Sequence, residues 1–258
     1  MSDLRATGSP RPIVVDRRVF VSTAVYALGH ELGMVEALSE VGRQLQKPDR
    51  DSLPVVRTIA RLQALADVQL HLDCGATYIG MMRSRAFHEA YESGWPAWIS
   101  LDDDIEATTA TCVAMLEALE DTAPRIIVVP YLMRMPKGED PKLAVTLPEI
   151  RIVRHYRGAR LALMPNGSGG GFGFVGMNRA AMHAVVEALG PGAHISQWID
   201  GDGKRKHALF YEILDDQGLW YGEDTSFFKY RVPTAVTVEA LLVGRIMHAG
   251  EPLDLDKL

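Results

Sequence analysis

Three consecutive acids, Asp102, Asp103 and Asp104, follow directly on the mostly apolar run Trp98-Ile99-Ser100-Leu101. A run of this kind reads as a short buried strand, so the acids fall on the turn at its carboxyl end. Asp102 and Asp104 leave one short turn and offer hard oxygen ligands of the type that hold Mg²⁺ or Mn²⁺. A cation there neutralises a diphosphate and, as a Lewis acid, stabilises negative charge growing on a leaving group. Taken without its surroundings, the triplet serves equally well as a solvated acidic loop beside a helix N-terminus capped by Thr108 or Thr109.

The rest of the chain supplies elements that can position these acids. Val19-Phe20-Val21 is a strand ending at Ser22-Thr23, a strand end where a nucleotide can sit against Thr23. Residues 31–45 carry Leu32, Val35, Leu38, Val41 and Leu45 at helical spacing and run into a Pro/Asp break at 47–51. Val68 to Leu72 alternates as a strand; Ile79, Met82, Ala86, Phe87 and Ala90 mark one helix face ending near Ser93-Gly94. A helix with Val113, Leu116 and Leu119 and a buried strand from Arg125 to Pro130 complete a series of βα units around a largely parallel sheet. Ligands of such sheets bind at the carboxyl ends of the strands. The second half is less regular. Glu149–Val153 and Arg160–Met164 flank an Arg157-Gly158 turn, and a Gly-rich run from Asn166 to Gly176 precedes a helix over 178–189. Residues 190–222 read as loops, a place for a variable binding surface.

With 258 residues, 47% hydrophobic and 23% charged, the chain suits one soluble α/β domain over 18–258 behind a loose tail, 1–17. Its longest apolar stretches, 126–130 and 236–243, fall far short of the roughly 20 residues of a membrane helix. The tail lacks the apolar segment of a secretory signal, which points to a cytoplasmic location. Cys74 and Cys112 are too few for a disulfide scaffold or a zinc site and read as small buried hydrophobes. The net charge of −6 disfavours generic nucleic-acid binding. Gly171-x-Gly173-x-x-Gly176 matches the dinucleotide fingerprint only formally, since it lies late and has no acid at the expected distance. His30-Glu31 and His88-Glu89 lack the second histidine of a zinc protease, and no nucleophile elbow or Walker loop occurs.

Four motifs, taken in order, resemble a known family. Arg83-Ser84, a helix, Gly94 and then Trp98 to Ile105 are similar to the Arg-Asn helix, strand and Asp-x-Asp of GT-A nucleotide-sugar glycosyltransferases, with Ser84 where Asn is usual. Gly171 to Gly176 with Asn178-Arg179 looks like that fold's acceptor-side strand; Tyr221-Gly222-Glu223-Asp224 to Phe228 resembles its Gly-Glu-Asp box; Met247-His248-Ala249-Gly250 resembles its late His-x-Gly. The match spans roughly residues 19 to 250 and is closest to the small bacterial and bacteriophage, family-2-like members.

The resemblance implies an α/β GT-A fold with a Rossmann-like, mostly parallel central sheet flanked by helices. Residues 18–131 would form the nucleotide-sugar half and 132–258 the acceptor and catalytic half. It implies a metal-dependent glycosyltransferase using Mn²⁺ or Mg²⁺ and a nucleotide sugar, a UDP-sugar foremost. Asp102, Asp104 and His248 would hold the metal, and Thr23, Arg83, Asp102, Asp103 and Asp104 the donor. Asp224, or else Glu223, would be the base of an inverting displacement, which needs a carboxylate beside the attacking hydroxyl. The acceptor stays open among glycan, protein, small molecule and modified DNA base. Two other readings compete: a nucleotidyltransferase or sugar-nucleotide pyrophosphorylase, whose Gly-rich basic loop is missing after Thr23, and a non-catalytic nucleotide-sugar-binding module.

Each residue also has a plainer use. His248 can be a partly buried histidine at a strand end, Arg83 a surface partner of Glu89, and Glu223-Asp224 the acidic first turn of a helix. Phe172 and Phe174, at alternate positions, read as core.

Overall fold

Short β-branched and aromatic runs, buried continuously along the central strands, build one large sheet with helices on both faces. The computed structural model describes residues 17–25, 34–74, 78–133, 139–140, 142–145, 152–156, 159–165, 167, 170–189, 197–199, 203 and 205–258. The strands are β1 (Arg18–Val25), β2 (Asp67–Cys74), β3 (Ala97–Asp102), β4 (Ile105–Ala107), β5 (Arg125–Val128), β6 (Ile152–Tyr156), β7 (Ala159–Leu163) and β8 (Phe174–Asn178). They continue with β9 (Gln197–Ile199), β10 (Arg205–His207), β11 (Ile213–Leu214), β12 (Trp220–Tyr221), β13 (Thr237–Leu241), β14 (Arg245–His248) and β15 (Glu251–Asp254). The helices are α1 (Met34–Gln46), α2 (Pro54–Gln63), α3 (Ile79–Glu92), α4 (Thr109–Leu119), α5 (Arg179–Ala188) and α6 (Glu223–Tyr230).

The main sheet has eight strands in the order β2-β1-β3-β8-β5-β13-β7-β6. β1 pairs in parallel with β2 and β3, and β13 with β5, while β8 runs antiparallel to both β3 and β5, and β7 to both β13 and β6. The sheet is therefore mixed α/β, with six strands pointing one way and β8 and β7 the other. The two halves of the chain share it, because β8 from the second half is inserted between β3 and β5 of the first, and β13 pairs on the outer side of β5.

Val19, Val21, Ile99 and Leu101 turn to one face, under α1, α2 and α4; Phe20, Trp98, Ile126 and Val128 turn to the other, under α3, α5 and α6. This second face holds an aromatic block in which Phe172 packs edge-on to Phe210 and Phe227, with ring centroids 4.8 and 5.4 Å away. Outside the main sheet, β4 pairs with β14 and β14 with β15. Thr108 caps α4 by accepting from the Thr111 amide, and Asn178 caps α5 through Ala181. Cys112 is a buried, unpaired core residue. Among the described residues no helix is long and apolar enough to cross a membrane.

Three expectations need revision. Val35 is 68% exposed, and α1 buries Ala37 and Val41 instead of the stripe through Val35 and Leu38. α2 went unforeseen, although Pro54 at its first turn and buried Val55, Val56, Ile59 and Leu62 carry a helical signature. The expected loops of 190–222 contain two hairpins, β9–β10 and β11–β12. Residues 149–151, 157–158 and much of 166–169 lie outside the described residues.

α3 comes very close to the segment entering the β11–β12 hairpin. A Cβ at Gly80 would stand 2.1 Å from the Phe210 carbonyl oxygen, while one at Gly42 on α1 would meet nothing within 4 Å. Gly80→Ala is expected to lower unfolding free energy by about 1–3 kcal/mol through overpacking. Gly42→Ala is expected to raise it by about 0.5–1 kcal/mol. Urea denaturation of both variants checks the contrast.

Candidate functional site

The carboxyl ends of β1 and β3 lie side by side, with Ala24 opposite Asp102. β3 ends in the expected acids. Asp102 keeps its amide on the Gly173 carbonyl at 2.9 Å, and the Asp103 carbonyl accepts weakly from the Val55 amide at 3.4 Å. Asp103 and Asp104 form the turn between β3 and β4 and are partly exposed.

Arg83 comes to these acids from the second turn of α3. Only 5% of its side chain is exposed. Its guanidinium donates to Asp102 Oδ1 at 2.7 Å, to Asp224 Oδ1, and at the limit of contact to Glu223 Oε1 at 3.5 Å. Beneath it lies the Phe172 ring, 5.2 Å from the guanidinium carbon, so the cation rests on an aromatic face. Burial by itself would disfavour the charge, but Asp224 and Asp102 more than offset it and hold the pKa of Arg83 above its ordinary value. Arg83, expected at the donor phosphates, is thus occupied in gathering acids, and Glu89 pairs with His71 instead, at 2.8 Å.

Asp224 arrives on the first turn of α6, which Phe227 and Phe228 anchor in the aromatic block. Its second oxygen accepts from the Phe172 amide at 3.0 Å. Burial pushes its pKa up to about 6; Arg83 and the Phe172 amide oppose this, and the neighbouring Glu223 and Asp102 charges add to it. A quarter of the side chain is exposed, so water in the cleft tempers the shift. Ser84, where the family resemblance places Asn, has a structural task. Its hydroxyl donates to the Gly80 carbonyl at 2.7 Å and accepts from the Leu209 and Phe210 amides at 3.0 and 3.2 Å.

His248 comes to the acid turn by strand register. β14 pairs antiparallel to β4 with His248 opposite Ile105, and this sets the imidazole beside Asp104, Nε2 to Oδ2 3.2 Å. Ala249 and Gly250 both have positive φ, 52° and 88°, in the tight turn to β15, and the Ala249 amide donates to the Asp104 carbonyl. Nδ1 lies 2.7 Å from the Leu132 carbonyl, which can only accept, so Nδ1 carries a proton and Nε2 is the nitrogen that faces Asp104.

Thr23 is 3% exposed, and its hydroxyl has no hydrogen-bond partner. It lines a small cleft with Asp73, Met82, Arg83 and Asp102, where a ligand atom could satisfy it. A roomier cavity of about 570 Å³ lies at the opposite, amino-terminal end of the sheet among Val19, Ala97, Leu116 and Leu119. It is mostly apolar and lies away from Asp102, Asp104 and Asp224.

These donors fit a hard divalent cation in part. Asp104 and His248 are about as far apart as two adjacent ligands of an octahedral ion, roughly 3 Å for bonds near 2.1 Å. Asp102 Oδ1 is taken by Arg83, and among the described residues no three His, Cys, Asp or Glu side chains form a metal-holding group. The expected set of Asp102, Asp104 and His248 is thus reduced to a preformed pair. That suits Mg²⁺ or Mn²⁺, which commonly take one or two protein ligands and complete their shell with phosphates and water.

Tyr131, just beyond β5, escaped sequence reasoning. Its ring lies on His248 with centroids 4.6 Å apart, and it closes the side of the site between His248 and the acids. The available signal was its position, at the carboxyl end of a buried strand.

No family model matches the chain, and no curated protein matches it. Among solved structures it is similar to A197 from STIV, at 12% identity over 93% of this chain and 92% of that one, with a TM-score of 0.47. A likeness of that size assigns neither family nor activity, which are left to the chemistry of the site.

Removing Arg83 leaves three carboxylates facing one another. Arg83→Met is expected to lower unfolding free energy by about 2–4 kcal/mol at pH 8, less than a fully buried pair would lose because the acids reach water. The loss should shrink at pH 5, since acids freed of their cation protonate more readily in the folded state and shed their repulsion. Urea unfolding at the two pH values measures both effects.

Proposed function

We propose that the protein is a metal-dependent glycosyltransferase of the GT-A kind, moving a sugar from a nucleotide sugar, a UDP-sugar foremost, to an acceptor hydroxyl with inversion. One observation carries this reading. Carboxylates from positions 102, 104, 223 and 224 and the imidazole of His248 gather around the carboxyl ends of β1 and β3, where the ligands of such sheets bind.

In this reading Asp104 and His248 would hold Mn²⁺ or Mg²⁺, and the ion would supply positive charge against the diphosphate leaving group. Thr23 and Asp102 face the nucleoside from the strand ends, and Asp103 borders the same turn. Arg83 stays beneath them, holding the acids in place and supplying positive charge behind the phosphates. Asp224 accepts the proton of the attacking hydroxyl, and a pKa of about 6 makes it a carboxylate near neutral pH while leaving it basic enough to take that proton. Glu223 beside it adds the negative charge that keeps that affinity for protons up.

Incubation with a panel of nucleotide sugars and Mn²⁺ should release a nucleoside diphosphate, and EDTA should stop the release. Release of pyrophosphate, or of nothing, would overturn the proposal. Asp104→Ala should abolish metal-dependent release without lowering the melting temperature. In the parent, kcat/KM should rise with pH around 6 as Asp224 loses its proton. Asp224→Asn should cost about 10²–10⁴ in kcat and remove that rise, with little change in donor affinity.

A further inference from the structure

Tyr131 touches both halves of the site, and two glycines are shaped around it. Its ring lies on the imidazole of His248, tilted by 52°. The next residue, Leu132, supplies the carbonyl that receives Nδ1 of the same imidazole. The dipeptide 131–132 therefore fixes His248 twice, once through a ring face and once through a peptide oxygen. Only 8% of Tyr131 is exposed, and its backbone is itself held, since its carbonyl accepts from the Ala144 amide at 2.8 Å.

On its other side the ring presses against the segment Gly171-Phe172-Gly173. A Cβ at Gly171 would stand 2.1 Å from the Tyr131 hydroxyl oxygen, and one at Gly173 2.7 Å from its Cε1. This same segment holds the acids, the Phe172 amide donating to Asp224 and the Gly173 carbonyl accepting from the Asp102 amide. Two glycines flanking a core phenylalanine thus make room for one aromatic side chain, while the segment holds the Asp224 carboxylate through the Phe172 amide and the Asp102 main chain through the Gly173 carbonyl.

We infer that Tyr131 is a positioning residue that locks the His248 imidazole, with Nε2 towards Asp104, and ties it to the Gly171–Gly173 segment that hydrogen-bonds Asp102 and Asp224. The use of that lock in metal binding rests on the glycosyltransferase reading; the lock itself does not. Groups that orient a metal-ligating histidine from behind commonly change metal affinity by about 10–100-fold when removed.

The test uses two variants of the full chain and two readouts. Tyr131→Phe keeps the ring and drops the hydroxyl; Tyr131→Leu removes the ring that lies on His248. The first readout is the tautomer of His248, seen in ¹⁵N–¹H correlation spectra of the imidazole. The second is Mn²⁺ affinity in the presence of UDP, from the electron paramagnetic resonance signal of free Mn²⁺. The parent and Tyr131→Phe should show one Nδ1-protonated tautomer and Mn²⁺ affinities within about twofold. Tyr131→Leu should show mixed tautomers and bind Mn²⁺ at least tenfold more weakly. If Tyr131→Leu unfolds, Gly173→Ala replaces it, since the added methyl must displace the ring. A single unchanged tautomer in a folded variant of either kind would overturn the inference. If the parent binds no Mn²⁺ while the tautomer still depends on Tyr131, the lock stands and the metal reading falls.

Discussion

One nearly buried cation under three carboxylates is the constraint on which the site depends. Asp102 belongs to the end of a central strand, and Glu223 and Asp224 to the first turn of a helix more than a hundred residues later. Brought together without a partner, these charges would repel one another and raise each other's pKa. Arg83 makes the approach favourable, and its donors point to all three acids at once. Its surroundings make burial of the charge tolerable, with Phe172 offering a ring face below. The first turn of α6 also places the acids where a helix N-terminus favours negative charge.

A second, smaller assembly is built by sheet register. β14 is a short strand with little core of its own, yet its pairing with β4 sets His248 next to the turn that carries Asp104. The two assemblies meet at Tyr131 and the glycines it packs against. Strand ends, the opening turns of two helices and the two-residue β3–β4 turn thus hold the chemical groups, and a ligand entering the cleft would find them already placed. In the proposed enzyme that arrangement spares the ordering of side chains on binding.

How much of this could be read from the sequence depended on the range of each interaction. The acids after β3 were legible, because an apolar run followed by a charge run is local. The helix face through Met82, Ala86, Phe87 and Ala90 was legible for the same reason, and all four residues are buried. The strip through Val35 and Leu38 misled, since periodicity finds a helix but cannot say which of two apolar edges meets the sheet. The work of Arg83 was hidden, because its partner Asp224 lies 141 residues away and no pattern near position 83 records it. Ser84 appeared as a departure from a motif, and only the folded chain reveals the hydrogen bonds that its hydroxyl makes to Gly80, Leu209 and Phe210. Gly171 and Gly173 carried no legible reason until Tyr131 was seen lying against them. The order of strands, with β8 reversed between β3 and β5, is a tertiary choice that local propensities do not encode.

The central claim is that Asp104 and His248 share a cation beside the acids that Arg83 gathers. A crystal structure of the protein with UDP and Mn²⁺ tests it most directly, because it locates ion, diphosphate and side chains together. The account predicts manganese within bonding distance of both Asp104 and His248 Nε2, the diphosphate on its open side, and Arg83 still bound to Asp102 and Asp224. An ion bound elsewhere, or a diphosphate seated away from the carboxyl ends of β1 and β3 with the Asp104–His248 contact closed, would contradict it.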